Sequence, residues 1–137
     1  MIIGIGTDIC DIRRIEQSMD RFGARFLNKI FTSDEQNYCE AKARPSMSYA
    51  KRFAAKEAIA KALAGAKTGS LSWTSVEVQN EPSGRPQVKL TGGALERADK
   101  MCPKGHTLKL HLSLSDDYPY ASAFAIAEAI PIVTKSS

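Results

Sequence analysis

The sequence predicts an α+β domain with a largely antiparallel sheet, and three observations predict it. RFAAKEAIAKAL, residues 52–63, consists almost entirely of strong helix formers. Two short runs with period-two alternation flank NEPSGRP, residues 80–86, which is turn chemistry. LKLHLSLS, residues 108–115, alternates strictly and puts four leucines on one face.

The elements follow in order. Residues 2–9 are apolar with glycines at 4 and 6, which suits a buried strand that meets another backbone closely. Asp11 caps a helix to about residue 19, with Ile12, Ile15 and Met19 at spacings of three and four. Thr32 and Glu35 form a capping box for a helix that ends before Pro45. Ser46 or Ser48 then opens the alanine-rich helix, which runs to Gly65. Residues 75–79 and 87–90 make a hairpin, and residues 94–101 a short helix stopped by Pro103. Residues 116–119 turn the chain from the leucine strand into a last small-residue strand, 120–129. The expectation is one domain over residues 1–130 and a frayed tail over 131–137.

Composition excludes several classes. With 137 residues the chain buries a sizeable core, and its net charge of +4 is too mild to choose an anionic ligand. Cys10, Cys39 and Cys102 show no C-x-x-C pairing, which argues for free thiols rather than zinc. The first fifteen residues lack the apolar core of a signal peptide, and no run approaches the ~18 apolar residues of a membrane span. A soluble, cytoplasmic protein without a membrane partner is expected. Nucleic-acid binding would need aromatic residues interleaved with basic ones on the strands; these strands carry Leu, Val and Ser instead.

Glu57 raises the functional question. On a helical wheel at ~100° per residue, it is surrounded by Phe53 and by alanines, with Lys61 one turn on. A Glu57–Lys61 ion pair is one reading. The other is that Asp8 meets Glu57 and the two hold a hard cation, since paired carboxylates with substrate phosphates are the usual magnesium site. Asp8 alone could simply cap the turn after its strand. GIGTD, residues 4–8, is no dinucleotide fingerprint: it lacks the third glycine. Arg52 and Lys56 neighbour each other on the wheel; they are either snorkelling surface cations or phosphate ligands. Arg14, Arg21 and Arg25 read as a solvated face or as a dock for an acidic helix.

Taken together and in order, GIGTD at 4–8 with Arg14-Ile15, RFAAKEAIAKA at 52–62, Asn80, Gly84-Arg85-Pro86, His111 to Ser115 and Tyr120-Ala121 resemble the holo-[acyl-carrier-protein] synthases. These are the short bacterial 4'-phosphopantetheinyl transferases. The resemblance implies their α+β fold, with a mainly antiparallel sheet packed against a long helix, in a homotrimer with coenzyme A between neighbours. It implies transfer of the phosphopantetheine arm of coenzyme A to a serine of apo acyl carrier protein, leaving adenosine 3',5'-bisphosphate, within fatty acid and lipid biosynthesis. Asp8 and Glu57 would bind magnesium, and Lys61 would contact phosphate. Either a water beside the metal or Glu57 itself would take the serine proton. Arg52, Lys56, Lys61, Gly84, Arg85, Pro86, Ser113, Leu114 and Ser115 would bind the coenzyme; Arg14, Arg21 and Arg25 would dock the carrier. One departure stands out. Many members have a histidine where this chain has Asp116, so no role of that histidine carries over. A scaffold that binds carrier protein or a nucleotide without catalysis would not require Asp8 and Glu57 together.

Overall fold

Two facing surfaces of small residues set the architecture of this chain, whose computed structural model describes residues 1–63 and 71–133. β1 (Ile2–Asp11), β4 (His106–Asp117) and β5 (Tyr120–Pro131) form an antiparallel sheet in the order β1-β5-β4. β5 buries Ala121, Ala123, Ala125, Ala127 and Ala129 on one face. The register puts Gly4, Gly6 and Asp8 of β1 opposite Ala127, Ala125 and Ala123, hence on that same face. Leu108, Leu110, Leu112 and Leu114 of β4 also pair with these alanines, so the leucines share a face as expected. His111 stands on the other face, its Nε2 2.9 Å from Glu128.

The helix α4 (Pro45–Ala62) crosses the alanine face, burying Ala50, Ala54, Ala58 and Ala62. A Cβ at Gly6 would stand 1.9 Å from the carbonyl oxygen of Ala58, and one at Gly4 2.0 Å from that of Ala62. These glycines therefore exist for backbone approach, as the sequence suggests.

Local chemistry explains the other helix starts. Asp11 caps α1 (Ile12–Phe22), accepting from the Arg13 N–H at 3.0 Å. In α3 (Ser33–Glu40) the Thr32–Glu35 capping box is complete in both directions. Two expectations need correction. A separate helix, α2 (Ala24–Ile30), follows the break at Gly23, whose φ of 54° is costly for other residues. The long helix begins at Pro45, not at Ser46 or Ser48. Proline fits the first turn because it lacks an N–H that would go unpaired there. The Ser48 hydroxyl instead donates to Cys39 Sγ at 3.1 Å. The expected helix end at Gly65 lies outside the described residues.

A 3₁₀ turn at Trp73–Ser75 leads into the hairpin of β2 (Val76–Asn80) and β3 (Pro86–Leu90), with Val78 opposite Val88. α5 (Gly92–Met101) follows, starting two residues earlier than the pattern implied. Among the described residues no helix is long and apolar enough to cross a membrane.

Glu35 ties three elements together in the interior. One carboxylate oxygen accepts from the Thr32 N–H at 2.9 Å and from Lys56 Nζ at 2.7 Å; the other accepts from the Val78 N–H at 2.9 Å. Lys56 Nζ also donates to the Trp73 carbonyl at 3.0 Å and to that of Val76. Lys56 is 2 % exposed with all three donors used, so it is neither a snorkelling cation nor, in this chain, free to bind coenzyme.

Gly6→Ala is expected to lower stability by about 3 kcal/mol, because the neighbour it meets is helix backbone that cannot yield locally. Gly93→Ala, where a Cβ meets nothing within 4 Å, should be neutral or slightly stabilising. Urea midpoints of the two variants check the contrast; equal midpoints would mean that α4 does not depend on the close approach.

Candidate functional site

Asp8 points from the inner face of β1 toward α4 and is largely shielded, its side chain 18 % exposed. Glu57, on the α4 face turned to β1, is half-buried. Burial raises its pKa above the ordinary 4.5, and the negative charge of Asp8 raises it further, while Lys61 opposes both. Lys61 Nζ donates to the Thr7 carbonyl at 2.9 Å and to Asp8 Oδ1 at 3.3 Å. The ion pair with Glu57 suggested by the i, i+4 spacing is thus replaced by one with Asp8.

This donor set fits a small hard cation. Two carboxylates repel each other at a half-buried position, and the described residues hold no cluster of three or more acidic, histidine or cysteine ligands there. Magnesium typically takes one or two carboxylates and completes its shell with water and substrate phosphate.

A second group of predicted residues gathers elsewhere. A cleft of about 570 Å³ between α4, the β2–β3 turn and β4 is lined by Arg52, Gly84, Pro86, Ser113 and Leu114. Arg52 forms its floor. It is 3 % exposed, with its guanidinium 3.9 Å from the Tyr38 ring centroid and Nη2 donating to Asn80 Oδ1. Its Nε has no partner among the described residues. Asn80 in turn donates to the Gly84 carbonyl at 3.0 Å, fixing the turn. Lys42, Arg44 and Lys51 add three cations to the walls that the sequence analysis missed. The basic cluster of residues 42–44 just before Pro45 was the available signal.

Among the described residues, the two groups do not share this cleft. Asp8, Glu57 and Lys61 are absent from the cleft lining, and β1 and β4 are opposite edges of the sheet. Arg52 and Glu57, five residues apart, project about 140° from one another around α4. Four expected coenzyme residues fall outside the cleft: Lys56 lies in the core, Lys61 stands beside Asp8, Arg85 lines the neighbouring groove between β3 and β4, and Ser115 pairs with the Ser122 hydroxyl at 2.8 Å. Arg14, Arg21 and Arg25 are all exposed; Arg14 and Arg21, seven apart on α1, share a face, and Arg25 follows on α2.

The raised pKa of Glu57 means that the folded state holds this proton more tightly than the unfolded one. Its contribution therefore turns against folding as pH rises through the interval above 4.5. In metal-free buffer, Glu57→Gln should melt higher than wild type at neutral pH and lose that advantage near pH 4. Thermal melts across this range check the sign; a lower melting temperature at neutral pH would contradict it.

The family model described as the 4'-phosphopantetheinyl transferase superfamily matches residues 4–123. A holo-[acyl-carrier-protein] synthase of Methylorubrum extorquens is 53 % identical over 136 residues, covering 99 % of this chain and 100 % of the relative. One from Caulobacter vibrioides is 55 % identical over 131 residues, 96 % and 98 % of the two chains. The crystal structure of the Neisseria meningitidis holo-[acyl-carrier-protein] synthase superposes with a TM-score of 0.78 at 35 % identity, covering 93 % of this chain and 99 % of that one. The Helicobacter pylori synthase in complex with coenzyme A gives 0.75 at 31 % identity, with 90 % and 99 % covered. The chain therefore belongs to the holo-[acyl-carrier-protein] synthases of the 4'-phosphopantetheinyl transferase superfamily.

Proposed function

We propose that the chain transfers phosphopantetheine from coenzyme A to a carrier-protein serine, using two half-sites supplied by neighbouring copies of itself. The observation that carries this reading is the meeting of Asp8 and Glu57 beside Lys61, apart from the cationic cleft. Asp8 and Glu57 hold magnesium. Bound there, the ion supplies charge neutralisation at the pyrophosphate. Lys61, held at the rim by the Thr7 carbonyl, adds a movable positive charge for the leaving phosphate. A water beside the carboxylates or Glu57 itself takes the serine proton. The Arg52 cleft of the adjoining copy receives the adenosine end.

A homotrimer supplies that geometry. The sheet face away from α4 exposes Ile5 (60 %), Ile9 (67 %) and Phe124 (45 %) on adjacent strands, an apolar surface suited to burial against another copy. Arg14, Arg21 and Arg25 present an exposed basic surface to the acidic carrier. The three described cysteines are free thiols, in keeping with a cytoplasmic enzyme.

Incubation with coenzyme A, magnesium and apo acyl carrier protein should add one phosphopantetheine to the carrier by intact mass. Asp8→Asn and Glu57→Gln should each cut turnover by roughly a hundredfold or more while remaining folded. Near-native turnover in either variant would remove the metal assignment.

Composite sites make a second expectation. Co-refolded Asp8→Asn and Arg52→Gln chains should recover up to about a quarter of wild-type activity, since random assembly pairs intact halves in that fraction of interfaces. No recovery from mixed chains would place both halves of each site in one copy.

A further inference from the structure

The end of β4 and the turn after it reach across to the first turns of α4 and grip the wall of the cleft. Asp116 Oδ2 lies 3.0 Å from Lys51 Nζ, and the Tyr118 ring lies 4.9 Å below the Arg44 guanidinium. Both cations line the cleft, whose described lining contains no aspartate or glutamate. The Asp116 carboxylate thus stands behind Lys51 rather than inside the cavity. An exposed lysine without such a tether would sample many rotamers and lose entropy on meeting an anion. With both side chains about a third exposed, at 34 % and 29 %, the pair is wet enough for Lys51 to keep a donor for a ligand.

We propose that Asp116 is a positioning residue, holding Lys51 at the cleft wall as a ligand for the ribose 3'-phosphate of coenzyme A. This rests on the placement of the coenzyme described above. Coenzyme A carries its negative charge at the pyrophosphate and at the 3'-phosphate. With the first at Asp8 and Glu57, the second is the anion left for a cleft walled by cations. The residue at position 116 then acts through Lys51 and touches no reacting atom.

The test compares kcat/KM for coenzyme A with that for 3'-dephospho-coenzyme A. Lys51→Ala should lower this ratio roughly fivefold, within the range of a partly exposed ionic contact. Asp116→Ala should lower it in the same direction by a smaller factor. In the Lys51→Ala background, Asp116→Ala should lower it no further, because its effect runs through Lys51. A ratio unmoved or raised by Asp116→Ala, or an additive loss in the double variant, overturns the proposal while leaving the cleft assignment intact. A wild-type enzyme that does not distinguish the two substrates overturns both.

Discussion

The buried pair of Glu35 and Lys56 governs where everything else in this chain points. One carboxylate closes the capping box of α3, receives the Val78 N–H of β2 and pairs with the Lys56 ammonium of α4. With every donor and acceptor satisfied, the pair tolerates its burial; with one partner gone, the other would be a stranded charge costing about 3–5 kcal/mol. More than stability depends on it. Lys56 pinned toward α3 and β2 fixes the rotation of α4. Arg52, one turn earlier, must then face the hairpin, and Glu57, one residue later, must face β1. The helix is thereby divided into two chemical flanks.

The glycine and alanine surfaces set the other coordinate, distance. Gly4 and Gly6 let β1 approach α4 until strand Cα positions nearly touch helix carbonyls. That approach brings Asp8 near Glu57, whose proton affinity is raised first by burial and then by the Asp8 charge. A chain with ordinary side chains at positions 4 and 6 would hold these carboxylates farther apart and weaken the proposed cation site. The site is therefore built into the packing of strand on helix, not into a loop.

The two flanks give each chain two halves of chemistry facing apart. Carboxylates and Lys61 lie by the β1 edge, and the cationic cleft lies by the β4 edge. An apolar outer sheet face accompanies this division. In the proposed assembly, association of copies would cover that face and bring unlike halves together, which would make assembly and catalysis one requirement. The end of β4 and the turn after it contribute to the same plan by arranging cleft cations from behind.

Much of this was legible in the residues. The Asp11 cap, the Thr32–Glu35 box, the hairpin around NEPSGRP and the glycines of β1 depend on chemistry within a few residues, which sequence spacing expresses directly. Asp8, Glu57 and Lys61 were recognisable as a motif set, and the fold brings them together. The helix after Gly23 was missed, although Phe26, Leu27 and Ile30 carry a short helical spacing. What periodicity could not decide was the rotation of α4. Its alanines bury nearly all round, and even Arg52 and Lys56 lie inside, so no polar stripe marks an outer face. Lys56 was assigned to the coenzyme on sequence grounds and lies in the core, because its partner Glu35 comes from another helix and Val78 from a strand. Local sequence determined the elements and the identity of the reactive groups. Only long-range packing decided which of those groups meet, because helix rotation is set by partners that lie far along the chain.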